Sequence, residues 1–329
     1  MRKQRFTIWL ILAILIGAIY SVYYFKLFGG PSIHDNSIAV ILKSLNVRMD
    51  FWQTVNKGAE TAAKEVGMEL NVLGPLQEND ADEQIRILEE AIEQKPEAIV
   101  IAPFADDRMS AILAKARSAG IKLVVIDTPL DMNPMPVIVS NDHAEAGRLA
   151  GETALSAAKG HPTVAIISDD PNSEISEERL TGLLEVLNRY EDSVIGVSYA
   201  NNSEDRAYEI VKQLLGADKP FNTIITLNET ATLGVAKLLK EQQWAGVIEL
   251  IGFDSSVDEI QLLESGTLKA AIVQKPFNMG YLGVKTALKL IDGNKVDPVT
   301  YIESNVITRE NMYTPENQKL LFPFINNNK

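Results

Sequence analysis

Short runs of apolar residues alternate along most of the chain with longer stretches in which apolar residues recur every three or four positions. The short runs are continuous and rich in Val and Ile, which is typical of strands buried on both faces of a parallel sheet. The longer stretches are typical of amphipathic helices, and Ile85, Leu88 and Ile92 give the clearest example. Ten strands are predicted: Ser37–Leu42, Glu69–Leu73, Ala98–Ile101, Lys122–Ile126, Val137–Val139, Thr163–Ile167, Val194–Ser198, Thr223–Thr226, Glu249–Ile251 and Lys269–Val273.

The alternation of strands with helices favours right-handed crossovers between parallel strands and a doubly wound sheet. Ten strands are too many for one compact unit of that kind but suit two units of five or six strands. The fold class predicted from the pattern is therefore α/β, with two Rossmann-like lobes built on parallel sheets.

The first thirty residues follow a different pattern. Residues 1–5 carry three positive charges, and residues 6–25 carry no charge at all. A helix of that length, at about 1.5 Å per residue, spans a hydrocarbon core of about 30 Å. The aromatic side chains at its far end, Tyr20, Tyr23 and Tyr24, are typical of a membrane interface.

We therefore predict a cytoplasmic n-region at 1–5, a transmembrane signal anchor at 6–28 and a linker at 29–36. The alternative is a cleaved secretory signal, but the apolar segment ends in bulky residues where a signal peptidase needs small ones. Because the positive charge precedes the span, the N-terminus is expected in the cytoplasm and the rest of this single-pass protein outside it, at the cell membrane.

Composition excludes several functional classes. Among 329 residues, 31 Lys and Arg face 44 Asp and Glu, and the net charge of −13 argues against binding to nucleic acid. The absence of cysteine excludes disulfides, thiolate metal sites, cysteine nucleophiles and a lipid-modified cysteine. The three histidines are far apart and lack metal-ligand spacing, and no glycine-rich nucleotide motif occurs. We expect no metal, no cofactor and no enzymatic activity.

Polar residues directly follow the predicted strands, where ligands bind in doubly wound sheets. The informative ones are Lys43-Ser44, Asp127-Thr128, Ser140-Asn141-Asp142, Asn228-Glu229, Asp254 and Gln274. Each has an ordinary alternative, because Asp, Asn and Ser after a strand often cap the next helix. Together, carboxylates, carboxamides and hydroxyls are the groups that exchange hydrogen bonds with a polyol.

An aromatic pair, Phe51 and Trp52, follows the first strand and its loop. Such side chains stack on the apolar face of a sugar ring. Their alternative role is packing in the core from one face of a helix.

Several segments resemble, in order, those of ribose-type periplasmic sugar-binding proteins. They are IAVILKSLNVRMDFWQTVNKGAETAAKEVG, VVIDTP, SNDHAEAGRLAG, EERLTGLLEVL, TLNETATLGVAKLL, LIGFDSSVDEI and AAIVQKPFNMGYLG, and together they cover about 37–309. The resemblance implies a type I periplasmic-binding-protein fold whose lobes are joined by three hinge crossings and close on a monosaccharide. It implies an N-terminal lobe at 37–140 and 275–303, and a C-terminal lobe at 141–274 and 304–325.

The same resemblance implies which residues bind the sugar. Its ring-stacking aromatic side chains fall on Phe51 and Trp52, and its polar ligands fall on Asp127, Arg179, Asn228, Asp254 and Gln274.

The chain departs from the ribose binders in two respects. They have Asp-Arg where this chain has Asp127-Thr128, and its loop from Lys43 to Trp52 is about two residues longer. That loop makes Lys43 and Arg48 available to the site. We therefore expect a pentose or hexose, without assigning ribose itself.

Two membrane partners fit these features, an ABC-type permease that receives the sugar and a sensor histidine kinase that responds to closure. Two other functions stay open. One is a sugar-active hydrolase that uses Asp127 and Asp254 as its carboxylate pair. The other is the ligand-binding domain of a lactose-repressor-type regulator, which would begin with a helix-turn-helix where this chain has its apolar segment.

Overall fold

The computed structural model describes residues 37–322, apart from 48–49, 79, 105, 131, 160, 191–192 and 218–219. The predicted n-region, anchor and linker lie outside the described residues. Within the described residues, no helix is long and apolar enough to cross a membrane.

The described part of the chain contains twelve strands. They are β1 (Ser37–Ile41), β2 (Glu69–Leu73), β3 (Ala98–Ile101), β4 (Lys122–Ile126), β5 (Val137–Asn141), β6 (Val164–Ser168), β7 (Val194–Tyr199), β8 (Thr223–Thr226), β9 (Glu249–Phe253), β10 (Ala270–Val273), β11 (Val299–Ile302) and β12 (Asn305–Thr308).

Ten helices accompany these strands in the same described segments. They are α1 (Asp50–Lys64), α2 (Ala81–Glu93), α3 (Asp107–Ser118), α4 (His143–Ala157), α5 (Glu174–Leu187), α6 (Glu204–Leu215), α7 (Glu229–Glu241), α8 (Val257–Ser265), α9 (Pro276–Ile291) and α10 (Pro315–Leu321).

The strands form two six-stranded sheets of identical order. The first sheet runs β11-β5-β4-β3-β1-β2 and the second β12-β10-β9-β8-β6-β7. The first sheet is parallel throughout, whereas β12 pairs antiparallel with β10 in the second. The two-lobed α/β prediction is therefore confirmed, and the expectation of wholly parallel sheets is wrong at β12.

All ten predicted strands are present, and four of them (β2, β3, β4 and β8) have the predicted bounds. The prediction missed β11 and β12. Each has four residues, and the side chain of Tyr301 in β11 is largely exposed, so neither resembles the buried apolar runs of the other strands.

Both faces of each sheet are covered, as the continuous apolar runs predict. In β1, Ile38 and Val40 belong to one cluster of buried side chains, while Ala39 and Ile41 belong to the cluster on the opposite face. The second sheet likewise separates two buried clusters. Polar side chains therefore cluster at the ends of the strands, since the faces of both sheets are covered by apolar residues.

Within the described residues, the chain passes between the sheets three times: after β5, after β10 and between β11 and β12. The first passage leads from β5 into α4 and the second from β10 into α9. The two passages therefore occupy equivalent positions in the two halves of the fold, because β5 and β10 hold the same place in their sheets.

Paired glycines set how closely equivalent helices approach. Gly58, the ninth residue of α1, faces Gly280, the fifth residue of α9, and Gly182 and Gly147 hold the same places in α5 and α4. A Cβ atom on any of the four would overlap a backbone carbonyl of the facing helix. The glycines thus seat α5 against α4, which matters because α5 carries Arg179.

Candidate functional site

Asp127, Lys43 and Thr128 form one polar cluster at the carboxyl ends of β4 and β1. The Nζ atom of Lys43 lies 2.7 Å from Oδ2 of Asp127 and donates to Oγ1 of Thr128 at 2.6 Å. Burial by itself would raise the pKa of Asp127, but the charge and hydrogen bond of Lys43, together with His143 and Thr128, outweigh it and hold that pKa below its ordinary value. Asp127 is therefore an ionised acceptor.

Lys43 supplies the cation that the Asp127-Thr128 sequence lacks. Its ammonium contacts both residues, so a residue from the loop after β1 takes a position beside Asp127. Ligand binding by Lys43 stays a prediction. Arg48, the other cation considered, lies outside the described residues.

Arg179 reaches the carboxyl ends of the second sheet from α5. It is only 4% exposed, its Nη1 donates to the Leu227 carbonyl at 2.6 Å, and its guanidinium lies 4.5 Å from the centre of the Phe253 ring. Burial lowers the pKa of Arg179, while nearby Asp254 and Asp127 oppose that effect. Its buried Nε has no hydrogen-bond partner among the described residues.

Asp254 and Gln274 lie side by side at the ends of β9 and β10. Nε2 of Gln274 donates to Oδ1 of Asp254 at 2.7 Å. The capping role considered for Asp254 is wrong, because the N-cap of α8 is Ser256, whose side chain forms a capping box with Glu259. Asp254 therefore does not cap a helix.

Asp127 and Asp254 share an unusual backbone conformation. Their φ angles are +67° and +81°, in the left-handed region that residues other than glycine rarely adopt. Such conformations persist where surrounding structure holds them and are concentrated at functional sites.

Asn228 does cap the helix that follows it. Its Oδ1 accepts from the Ala231 amide at 2.9 Å at the start of α7. Its Nδ2 makes no hydrogen bond to the described residues, so the cap and a ligand contact are compatible.

The aromatic pair is divided between core and surface. Trp52 is 2% exposed and packs in the core of the first lobe, and its Nε1 donates to Oε1 of Glu78 at 3.1 Å. Phe51 is half-buried and meets the Trp52 ring edge-on at 4.9 Å between centroids. The packing alternative thus describes Trp52, and ring stacking by either side chain stays a prediction.

The arrangement was compared with known proteins. A model of the periplasmic binding protein domain matches residues 38–295, most of the chain. The chain belongs to this family.

The chain is similar along most of its length to several sugar-binding proteins. This periplasmic binding protein is 26% identical over 264 residues to the D-ribose/D-allose-binding protein of Pseudomonas aeruginosa, covering 78% of this chain and 82% of that one. It superposes with a TM-score of 0.80 and 29% identity on a carbohydrate transporter solute-binding protein of Agrobacterium radiobacter solved with D-arabinose, covering 88% and 100% of the two chains. A glucose-galactose binding protein of Geobacillus stearothermophilus gives 0.77 and 29%, covering 84% and 99%.

These findings confirm the resemblance stated from the sequence, and the fold matches the type I periplasmic binding arrangement of two α/β lobes. The relatives are named as binding proteins of transport systems rather than as enzymes. That agrees with the interpretation of this periplasmic binding protein as a non-catalytic chain.

Sequence reasoning missed four polar residues of the site in this periplasmic binding protein. Burial raises the pKa of Glu78 and Asp169, and burial together with Asp254 raises that of Glu229 to about 7. Burial also lowers the pKa of His143 to about 3, so its imidazole is neutral, and neither ring nitrogen has a partner among the described residues. Glu229 was recognised with Asn228 as a polar residue after a strand but was not assigned to the ligand, and Asp169, which directly follows β6, carried the same positional signal.

The two lobes influence each other's charges across this site. Asp254 of the second lobe contributes to the raised pKa of Glu78 in the first, and Asp50 of the first contributes to that of Glu229 in the second. We call the region between these groups the cleft. It is bounded by the carboxyl ends of both sheets.

Proposed function

We propose that this chain is an extracytoplasmic monosaccharide-binding protein that closes on a pentose or hexose. The observation that carries the proposal is the convergence on one cleft of charged side chains from both lobes, of which Asp127 and Arg179 are buried and Lys43 and Asp254 are partly buried. Asp127 and Lys43 come from the first lobe, and Arg179 and Asp254 from the second. Relatives named for ribose, allose and arabinose support the same ligand class.

The chemistry of these groups suits a polyol. Two ionised carboxylates each accept from ring hydroxyls, and a planar guanidinium donates to two adjacent oxygens. Hydrogen bonds to charged groups contribute about 1.5–3 kcal/mol each. A few of them reach micromolar affinity, about −8 kcal/mol, after the cost of ordering the ligand. The unpaired Nε of Arg179 is one buried donor that a ligand hydroxyl would satisfy.

Closure follows from the division of these ligands between lobes. A sugar that touches Asp127 and Asp254 together binds the closed form better, and that difference in affinity is what shifts the population. In our proposal the lobes that close are 37–140 with 275–303 and 141–274 with 304–325. The three passages of the chain between the sheets would serve as hinges.

Hydrolysis by Asp127 and Asp254 is less well supported. A glycosidase needs one carboxyl group with a raised pKa to protonate the leaving group. Lys43 instead holds the pKa of Asp127 below its ordinary value. An Asp127 that stays ionised is suited to accepting hydrogen bonds from a ligand.

We propose delivery of the sugar to an ABC-type permease as the role of closure, because relatives are named for import or transport. A sensor kinase that reads closure is the second candidate, favoured by the predicted anchor at 6–28. Co-purification from detergent-solubilised membranes separates the two, since the permease or the kinase would accompany the chain. Intact mass of the native protein tests the anchor, and a mature start beyond Phe25 would contradict it.

The binding proposal is tested by a thermal-shift screen of the full chain in detergent. Ribose, allose, arabinose, glucose, galactose and fucose form the panel, with a disaccharide as the control too large for a closed cleft. We expect a higher unfolding temperature with at least one monosaccharide, and a smaller radius of gyration by small-angle scattering at saturation. No shift across the panel would contradict sugar binding, and an unchanged radius would contradict closure.

A further inference from the structure

Three side chains at the bottom of the cleft form a hydrogen-bonded row. Nδ2 of Asn141 donates to Oε1 of Gln274, and Nε2 of Gln274 donates to Oδ1 of Asp254. Asn141 is 1% exposed and Gln274 is 5% exposed, so neither amide exchanges freely with water. All three residues follow predicted strands, but the sequence assigned ligand binding only to Gln274 and Asp254.

Chemistry fixes the direction of every bond in this row. An ionised carboxylate only accepts, so the end of Gln274 that faces Asp254 must be its NH2 group. The oxygen of Gln274 therefore faces Asn141, and Asn141 must in turn present its own NH2 group. The remaining atom, Oδ1 of Asn141, is buried and has no partner among the described residues.

The row also joins two of the passages between the lobes. Asn141 is the last residue of β5, where the chain first leaves the first sheet, and Gln274 directly follows β10, where it returns. β5 and β10 hold equivalent places in the two sheets, and the two side chains meet between them. A rotation of the Gln274 amide would therefore change its hydrogen bonds to both Asn141 and Asp254.

We propose that Asn141 is a positioning residue that fixes the orientation of the Gln274 amide and, through it, the carboxylate of Asp254. This inference rests on the proposed function, in which Asp254 and Gln274 bind the sugar. A primary amide has nearly the same shape in either orientation, so packing alone discriminates poorly between the two. The hydrogen bond from Asn141 is what makes the orientation with NH2 toward Asp254 the favoured one.

Asn141→Asp is the sharpest variant because it preserves size and shape. The introduced carboxylate cannot donate to Oε1 of Gln274, and it competes with Asp254 for the single NH2 group of that amide. Whichever carboxylate accepts from that group, the Gln274 oxygen then faces the other one. Asn141→Ala removes the donor without adding a competing acceptor.

The test measures sugar affinity by calorimetry on the full chain in detergent, using the sugar that gives the largest thermal shift. The measurement runs from about pH 5 to about pH 9, because burial raises the pKa of a carboxyl introduced at a position that is 1% exposed. At the alkaline end, where that carboxyl ionises, we expect Asn141→Asp to weaken binding at least tenfold and at least as much as Asn141→Ala does. Asn294→Asp, an exposed position after α9, is the control for added negative charge and should leave affinity unchanged.

A merely structural role predicts the reverse order. Loss of packing would make Asn141→Ala the more damaging change, and the isosteric Asn141→Asp would bind nearly as tightly as the wild type. Either result overturns the proposal. Lowering the pH to about 5 provides a rescue, because a protonated carboxyl donates a hydrogen bond. Relative to the wild type at each pH, Asn141→Asp should recover affinity.

Failure of the proposed function is distinguishable from failure of this inference. If the wild type binds no sugar of the panel, the proposed function is contradicted. The orientation of the Gln274 amide is then measured in the ligand-free protein. The side-chain amide NMR signals of Gln274 are identified by their loss in Gln274→Glu. Displacement of those signals in Asn141→Asp, with none in Asn294→Asp, supports the proposal, and unmoved signals overturn it.

Discussion

Asp127 and Asp254 occupy equivalent positions in the two halves of the molecule. Asp127 directly follows β4, which pairs with β5, the strand after which the chain leaves the first sheet. Asp254 likewise follows β9, which pairs with β10, the strand after which the chain leaves the second sheet. Both residues have a left-handed backbone conformation. The Asp127 amide donates to the Val139 carbonyl of β5, as the Asp254 amide donates to the Ile272 carbonyl of β10. One local structure thus supplies a carboxylate to the cleft from each lobe.

The pair of Lys43 and Asp127 is expected to stabilise the first lobe strongly, because both side chains are nearly buried. Removing one partner of a buried pair leaves the other charge unpaired, at about 3–5 kcal/mol. Lys43→Met should lower the free energy of unfolding by about 3 kcal/mol, and adding Asp127→Asn should restore about half of that loss. Asn is chosen because it tolerates a left-handed backbone.

Urea unfolding of the two single variants, the double variant and the wild type measures this coupling. Strictly additive losses would show that the two charges do not depend on each other, contrary to the 2.7 Å contact.

Glu229 is expected to weaken the folded state as the pH rises. Burial, with Asp254 next, raises its pKa from 4.5 to about 7, so between those values the folded protein holds a proton that the unfolded chain releases. Its contribution to stability is therefore present below about pH 4.5 and declines up to about pH 7.

Glu229→Gln removes this dependence. Above about pH 7 it should be more stable than the wild type by about 1–2 kcal/mol, after allowance for partial solvent screening, and equally stable near pH 4.5. Glu204→Gln is a matched control, since Glu204 is the exposed first residue of α6 as Glu229 is the first of α7. A difference between wild type and Glu229→Gln that does not vary with pH would refute the assignment.

Gly147 is expected to tolerate no side chain. A Cβ atom there would overlap the carbonyl oxygen of Arg179, which would push α5 and its guanidinium away from the cleft. Gly147→Ala should therefore destabilise the protein by about 2 kcal/mol or more and also weaken ligand binding. Gly196→Ala in β7, where an added Cβ meets nothing within 4 Å, is the control and should be close to neutral. Equal stability of the two variants by urea unfolding would contradict the role given to the glycine contact.

The apolar pattern predicted most of the fold because buried parallel strands are continuous in sequence. It missed β11 and β12, which have four residues each. These segments form strands because they pair with β5 and β10 at the edges of the two sheets. The sequence also did not reveal that the helix pair α5 and α4 is packed in the same way as the pair α1 and α9. The two pairs share the positions of their glycines, and those glycines meet only in the folded protein.

The site was predictable where residues directly follow strands, as with Asp127 and Asp254. It was not predictable where tertiary contact decides the role. Asn141 was recognised only as a polar residue after a strand, and its contact with Gln274, which is 133 residues away in the chain, was not predictable. Trp52 was assigned to the ligand by resemblance, yet its burial depends on the packing of α1 against its sheet.

The central claim is that the cleft binds a monosaccharide through Asp254 and its partners. Calorimetric titration of the wild type and Asp254→Asn with the panel sugars tests it most directly, because Asn keeps the left-handed turn and removes only the charge. Asp258→Asn, in the first turn of α8, is the control for charge. We expect micromolar binding of at least one sugar by the wild type and by the control, weakened at least ~30-fold, about 2 kcal/mol, in Asp254→Asn. Binding that is equally tight in all three proteins would remove Asp254 from the site, and no binding of any sugar by the wild type would contradict the account as a whole.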